Sequence, residues 1–158
     1  MLLLNRRALL ALPLALAACG FQPAYAPGGA GATLQNRVEV TAPDDRNTYL
    51  LVRELETRLG RAATPAYALS LTVTTSEEGL AIDRAGDINR YNLVGTADYT
   101  LRNLTTGQIV TSGQEDNFTA YSTTGTTVAT LAAERDAQAR LMTILADQIM
   151  TRLLASRL

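Results

Sequence analysis

The sequence predicts an α+β fold, a two-layer sandwich with two α-helices packed on one face of a four-stranded, mainly antiparallel sheet. Three observations lead there. Apolar residues recur at helical spacing in two stretches, one soon after Pro43 and a longer one from Val128. Three stretches between them alternate apolar and polar residues at period two. The connections among those three are short, which makes a meander of antiparallel neighbours the simplest topology.

The elements follow in order. Arg37 to Thr41, with Val38 and Val40 on one side, reads as a short strand. Pro43, Asp44 and Asp45 then signal a helix start, because acids suit the positive end of the helix dipole. Leu51, Val52, Leu55 and Leu59 share one helical face, Glu54 and Arg58 form an i,i+4 pair, and Gly60 is placed to end the helix. Tyr67, Leu69, Leu71 and Val73 alternate with Ala68, Ser70, Thr72 and Thr74, a half-buried strand. A charged, glycine-bearing stretch from Glu77 to Asn89 separates it from the cleanest alternation, Tyr91, Leu93, Gly95, Ala97, Tyr99 and Leu101, which Val94 breaks on the polar side.

Asn103 to Gly107 predicts a tight turn. Gln108 to Tyr121 is a further, less regular strand in which Gly113 suggests a bulge. Ser122 to Thr127 is a Ser/Thr/Gly loop suited to capping a helix. The chain then reads as helix almost to its end. Leu131, Ala132, Met142, Leu145, Ile149 and Leu153 are placed on its apolar face, with Asp136 and Arg140 as an i,i+4 pair. With both helices on the apolar face of the sheet, the other face is rich in Thr, Ser and Arg, open to water or a polar partner.

The start of the chain reads as an export signal. Arg6 and Arg7 form a positive segment, and Ala8 to Ala18 is apolar apart from the interruption at Pro13. That run is shorter than the roughly 20 residues a membrane-crossing helix needs and has the flanks of a signal peptide. The arginine pair fits a plain positive segment better than the partial twin-arginine match. Leu16-Ala17-Ala18-Cys19 looks like a bacterial lipobox: small residues admit a signal peptidase to the backbone, and the thiol takes up a diacylglyceryl group. Cys19 is the only cysteine, so it has no disulfide partner in its own chain. Cleavage makes it the first mature residue, and two or more acyl chains give stable membrane anchoring. Residue 20 is glycine; the absence there of an aspartate, which commonly retains proteobacterial lipoproteins in the inner membrane, points to the outer membrane. The expected organisation is therefore a signal peptide over 1–18, a lipidated N-terminus and tether over 19–35, and one α+β domain over 36–158. The Gly-, Ala- and Pro-rich run from Phe21 to Leu34 carries the tether reading.

Composition excludes several function classes. Without Arg6 and Arg7, two of the chain's 14 basic residues, twelve arginines face fifteen acidic residues, and there is no lysine or histidine. A mildly acidic chain without a basic cluster is a poor nucleic-acid binder. Lacking histidine and a second cysteine, it is short of metal ligands and of nucleophile–base pairs, so no cofactor, no metal and no enzymatic activity are expected. The remaining candidate contact is "DRAGDINR", Asp83 to Arg90, between two long strands. Arg84 and Arg90 flank a Gly86-containing turn there and suit phosphates or carboxylates. The alternative is that they only keep an exposed loop hydrated, paired with Asp83 and Asp87.

Several segments together resemble one family. Cys19-Gly20-Phe21-Gln22-Pro23 with Tyr25, the strand "RYNLVGTADYTL", its turn "NLTTG" and the closing "AYSTTGTTVATLAAERDAQARLMTILADQIMTRL" are similar to the lipopolysaccharide-assembly lipoprotein family, LptE. The opening "CGFQP" with its tyrosine is the most specific piece. The resemblance implies the same two-helix, four-strand layer. It also implies a non-catalytic partner of the outer-membrane β-barrel LptD. Such a partner plugs the lumen, helps the barrel assemble, and assists delivery of lipopolysaccharide to the outer leaflet. The expected location is the outer membrane, lipid-anchored at Cys19 and facing the periplasm and barrel lumen. Family members use basic residues on lipopolysaccharide; this chain has no basic cluster in sequence, so no such residue is carried over by position. A second reading is a lipid-binding accessory lipoprotein of an envelope exporter, which calls for inner-membrane retention and a larger apolar groove.

Mass spectrometry of the mature N-terminus tests the anchor. A lipid-sized increment on Cys19, lost together with membrane retention in Cys19→Ala, is the expected outcome. An unmodified cysteine or a different mature start overturns it.

Overall fold

The computed structural model describes residues 25–82, 86 and 88–156. Among these the order is α1 (Ala30–Leu34), β1 (Val38–Val40), α2 (Arg46–Leu59), β2 (Tyr67–Ile82), β3 (Ile88–Asn103), β4 (Ile109–Ser122) and α3 (Thr127–Ala155). The sheet order is β1-β2-β3-β4. β1 runs parallel to β2, as a helical crossover through α2 allows, and β2–β3 and β3–β4 are antiparallel. This is the mixed α+β sandwich expected from the sequence.

The helix ends follow their local chemistry. Asp45 caps α2, its Oδ1 accepting from the Thr48 N–H at 2.6 Å. Hydrogen bonding by Thr48, chiefly through its side chain, holds the Asp45 carboxyl below its ordinary value. Gly60 ends the helix at φ +74, where a Cβ would collide with the Asn36 side chain. Asn36, itself at φ +57, donates its N–H to the Leu59 carbonyl at 2.7 Å. Thr126 caps α3 through its hydroxyl, which accepts from the Ala129 N–H. Asn103 builds the β3–β4 turn, its Oδ1 accepting from the N–H groups of Thr105 and Thr106.

One side of the sheet carries the core. Odd-numbered residues of β3, from Leu93 through Ala97, Tyr99 and Leu101, point inward with Leu69 of β2. Leu51, Leu55 and Leu59 of α2 and Leu141, Leu145, Ile149 and Leu153 of α3 close over them, nearly all with no exposed surface. Each such side chain contributes roughly 1.5–3 kcal/mol. Arg58 of α2 bridges to Asp147 of α3 at 2.6 Å and to Glu54 at 3.1 Å. Gly95 lies beneath α3: a Cβ there would come within 2.8 Å of Leu141 Cδ2 and 3.4 Å of Leu145 Cδ1.

Four expectations change. The tether reading over Phe21 to Leu34 fails at its end, because Ala30–Leu34 is helical and Leu34 is fully buried. Leu131 is 46% exposed and Ala132 is exposed as well. Leu131 is in helical phase with buried Met142, but α2 has 14 residues against 29 in α3 and cannot cover its whole length. Gly113 is not a bulge: it pairs in register with Tyr99, and the irregularity falls between Leu101 and Arg102. Finally, β2 continues through Glu77–Ile82 and β3 begins at Ile88, so much of the charged stretch is strand, held by backbone pairing rather than by burial.

Leu145→Ala and Ile149→Ala should each cost about 2–5 kcal/mol of stability in denaturant titration. Arg140→Ala, whose ion pair with Asp136 is exposed, should change it by less than about 1 kcal/mol. Equal small losses at all three positions would mean that α3 presents a different face.

Candidate interaction surface

No group of His, Cys, Asp and Glu able to hold a metal occurs among the described residues. What the fold offers is surface. The face of the sheet away from the helices bears Thr72, Thr74 and Ser76 of β2, Arg90, Asn92, Thr96, Asp98 and Arg102 of β3, and Ser112, Gln114 and Asp116 of β4. Its side chains link across strands, as in the bond from Gln114 Nε2 to Asp98 Oδ1 at 2.8 Å. Phe118, 59% exposed, stands on this face directly opposite Val94. Its even position, opposite the Val94 that breaks the alternation of β3, is the sequence signal for it.

The expected contact residues are only partly placed. Cys19 and Arg84 lie outside the described residues, as do the signal segment 1–18 and residues 83, 85 and 87 of the Asp83–Arg90 stretch. Gly86 is described, at φ +94, the left-handed backbone a turn glycine supplies. Arg90 lies on β3, exposed on the outer face and opposite Ser122. The hairpin end carries exposed Leu80 and Ile88, and the start of α3 carries exposed Val128 and Leu131. The loop between β4 and α3 is tied to this end, since Thr123 Oγ1 donates to the Ile88 carbonyl at 2.8 Å and Ser122 Oγ to the Asn89 carbonyl at 3.1 Å. Sequence periodicity missed these residues because it treats a buried and an exposed apolar residue alike.

The inward face of β4 is polar: Glu115, Thr119 and Tyr121 are buried there. Each has a partner. Thr119 Oγ1 donates to the Ala137 carbonyl at 2.9 Å, Glu115 Oε1 accepts from Arg152 Nε at 2.8 Å, and Tyr121 Oη donates to Glu77 Oε1 at 2.8 Å. Tyr121 also stacks on Tyr91, centroids 5.6 Å apart. Burial first, and the Glu77 carboxylate second, push the Tyr121 phenol well above its ordinary value.

The comparisons bear on this architecture. Residues 35–153 match the family described as "LptE: Lipopolysaccharide-assembly". The chain belongs to the LptE family. The LptE fold is shared by a Caulobacter crescentus protein described as a lipoprotein, 26% identical, with a TM-score of 0.67 over 80% of this chain and 93% of the other. Rare lipoprotein B from Shewanella oneidensis is 14% identical, with a TM-score of 0.58 over 75% and 92% of the two chains. A minor lipoprotein from Acinetobacter baumannii is 17% identical, with a TM-score of 0.56 over 77% and 94%. No curated protein matches the sequence. Membership makes this LptE-family chain an envelope lipoprotein of lipopolysaccharide assembly.

Tyr121→Phe should remove a late component from the alkaline tyrosinate absorbance titration. The raised phenol stabilises the fold in its neutral form. That contribution is present below the ordinary tyrosine value of about 10 and is lost as pH rises through the folded one. An unchanged titration would mean that burial and the Glu77 carboxylate do not hold the phenol above its ordinary value.

Proposed function

We propose that the mature protein is a non-catalytic accessory of an LptD-type β-barrel, anchored in the outer membrane through Cys19. It seats inside the barrel lumen, assists barrel assembly, and aids insertion of lipopolysaccharide into the outer leaflet. Family membership over residues 35–153 carries this reading. The outer sheet face supports it: a surface of Thr, Ser, Asn, Gln, Asp and Arg matches the wet, polar interior of a large barrel. A lipid-binding exporter accessory calls instead for a large apolar groove; the cleft along β4 carries the polar groups of Tyr99, Glu115 and Arg152 among its lining. Arg90, at the hairpin end that also carries exposed Leu80 and Ile88, is with Arg84 the proposed contact with lipid phosphates or acidic barrel loops.

Purification of the tagged full-length lipoprotein from its native membranes in mild detergent tests the proposal. An outer-membrane barrel should co-purify in stoichiometric amount. Recovery of inner-membrane transporter subunits without a barrel would favour the exporter reading and overturn this one.

A further inference from the structure

β4 forms one edge of the sheet. The Thr123 N–H donates to the Asn89 carbonyl at 3.1 Å, flanking the Arg90–Ser122 pair. That geometry marks the pair as a non-hydrogen-bonded one. The antiparallel alternation then turns the N–H and C=O groups of even-numbered β4 residues away from β3. Towards the end of the strand these groups have side-chain partners. The Phe118 N–H donates to Asn117 Oδ1 at 2.8 Å, and the Ala120 carbonyl accepts from Arg140 Nη2 at 3.3 Å. At Ser112, Gln114 and Asp116 they have none among the described residues.

A cleft of about 410 Å³ runs along this same open stretch, lined by Thr111 to Glu115 and by the last turn of α3 at Arg152. Its wall carries unspent polar groups. Tyr99 is 5% exposed, and its hydroxyl has no hydrogen bond among the described residues. Its ring crosses Gly113, where a Cβ would lie 2.8 Å from Tyr99 Oη. Glu115 is 8% exposed and uses Oε1 on Arg152 Nε, leaving Oε2 without a partner. The guanidinium of Arg152 keeps both Nη groups free on a side chain that is 64% exposed.

We infer that the β4 edge over Ser112–Asp116 accepts an extended loop segment of the partner barrel as a fifth strand, with an Asp or Glu of that segment on the free nitrogens of Arg152. The inference rests on the barrel reading above. An extended main chain presents donors and acceptors at the spacing of the open edge, and strand addition is an established way of reading a peptide. Arg152 spends only its Nε on Glu115, so its two Nη groups present a donor fork that suits a carboxylate. An acyl chain in the same cleft would leave Tyr99, Glu115 and the edge amides unpaired, at a desolvation cost. A second copy pairing through its own β4 would set Gln114-Glu115-Asp116 against itself, with like charges across the new ladder. The strands of a closed barrel wall have no free edge, so the segment must be a loop that reaches into the lumen.

A photoreactive residue at Ser112 of the full-length lipoprotein, activated in cells, should trap a barrel loop containing a carboxylate, identified by mass spectrometry of the digested adduct. One at Thr72, on β2 at the other side of the sheet, should not trap that loop. Gln114→Pro removes an N–H that points away from β3, and edge strands tolerate proline. It should keep its melting transition while barrel recovery falls about tenfold. If the wild type brings down a barrel, but Ser112 traps a second copy, lipopolysaccharide or nothing, the strand-addition inference is overturned and the barrel reading stands. If Gln114→Pro fails to fold, the Ser112 adduct decides alone. If the wild type recovers no barrel, the barrel reading itself fails.

Discussion

The seating of α3 on β3 is the contact on which the rest of the molecule depends. Leu141 and Leu145 reach the sheet at Gly95, where there is no side chain to hold them off. Ala97 is the next inward residue of β3 and is also fully buried. Two small residues in the middle of a strand leave room that long helix side chains fill, and the packing density of a protein interior makes such a fit demanding. Because α3 is fixed there, α2 has a wall to pack against, and Arg58 can meet Asp147. Leu34 of α1 then joins the same core, so the domain begins earlier than its tether-like composition indicates.

The same placement explains the polarity of β4. A strand with Glu115, Thr119 and Tyr121 inward is costly unless each buried group is paired. α3 supplies two of the partners, the Ala137 carbonyl and Arg152, and β2 supplies the third through Glu77. An α3 with only apolar side chains against this face would leave the buried Glu115 carboxylate unpaired. The arrangement also sets the character of the edge. Near Ala120, α3 side chains close it, and near Ser112 they leave it open beside a cleft.

On the accessory role proposed above, these surfaces are the functional content. The sheet divides the molecule into a dry side that holds it together and a wet side with Thr, Ser, Asn, Gln, Asp and Arg. The basic groups are all arginine, whose planar fork pairs bidentately with carboxylate and phosphate. The β2–β3 hairpin end carries exposed Leu80 and Ile88 with Arg90, and the start of α3, after the Thr126 cap, carries exposed Val128 and Leu131. An end that combines apolar and cationic groups is chemically suited to an amphiphile, in keeping with a family of lipopolysaccharide assembly.

The sequence by itself determined what depends on neighbours along the chain. The helical period of Leu51, Leu55 and Leu59, the alternation from Tyr91 to Leu101, the caps at Asp45 and Thr126, the stop at Gly60 and the Asn103 turn are all local, so they were legible residue by residue. The shared face of Leu145 and Ile149 also follows from period alone. Only tertiary structure decided the features that need a distant partner. Glu77 to Ile82 became strand because β3 pairs with it, Gly113 proved to accommodate the Tyr99 ring, and the inward polar groups of β4 depend on α3 and β2. Leu131 stayed exposed because α2 is too short to reach it. A period reports which side a residue faces. Whether anything covers that side, and what it offers to pair with, is settled only when elements far apart in the chain are brought together.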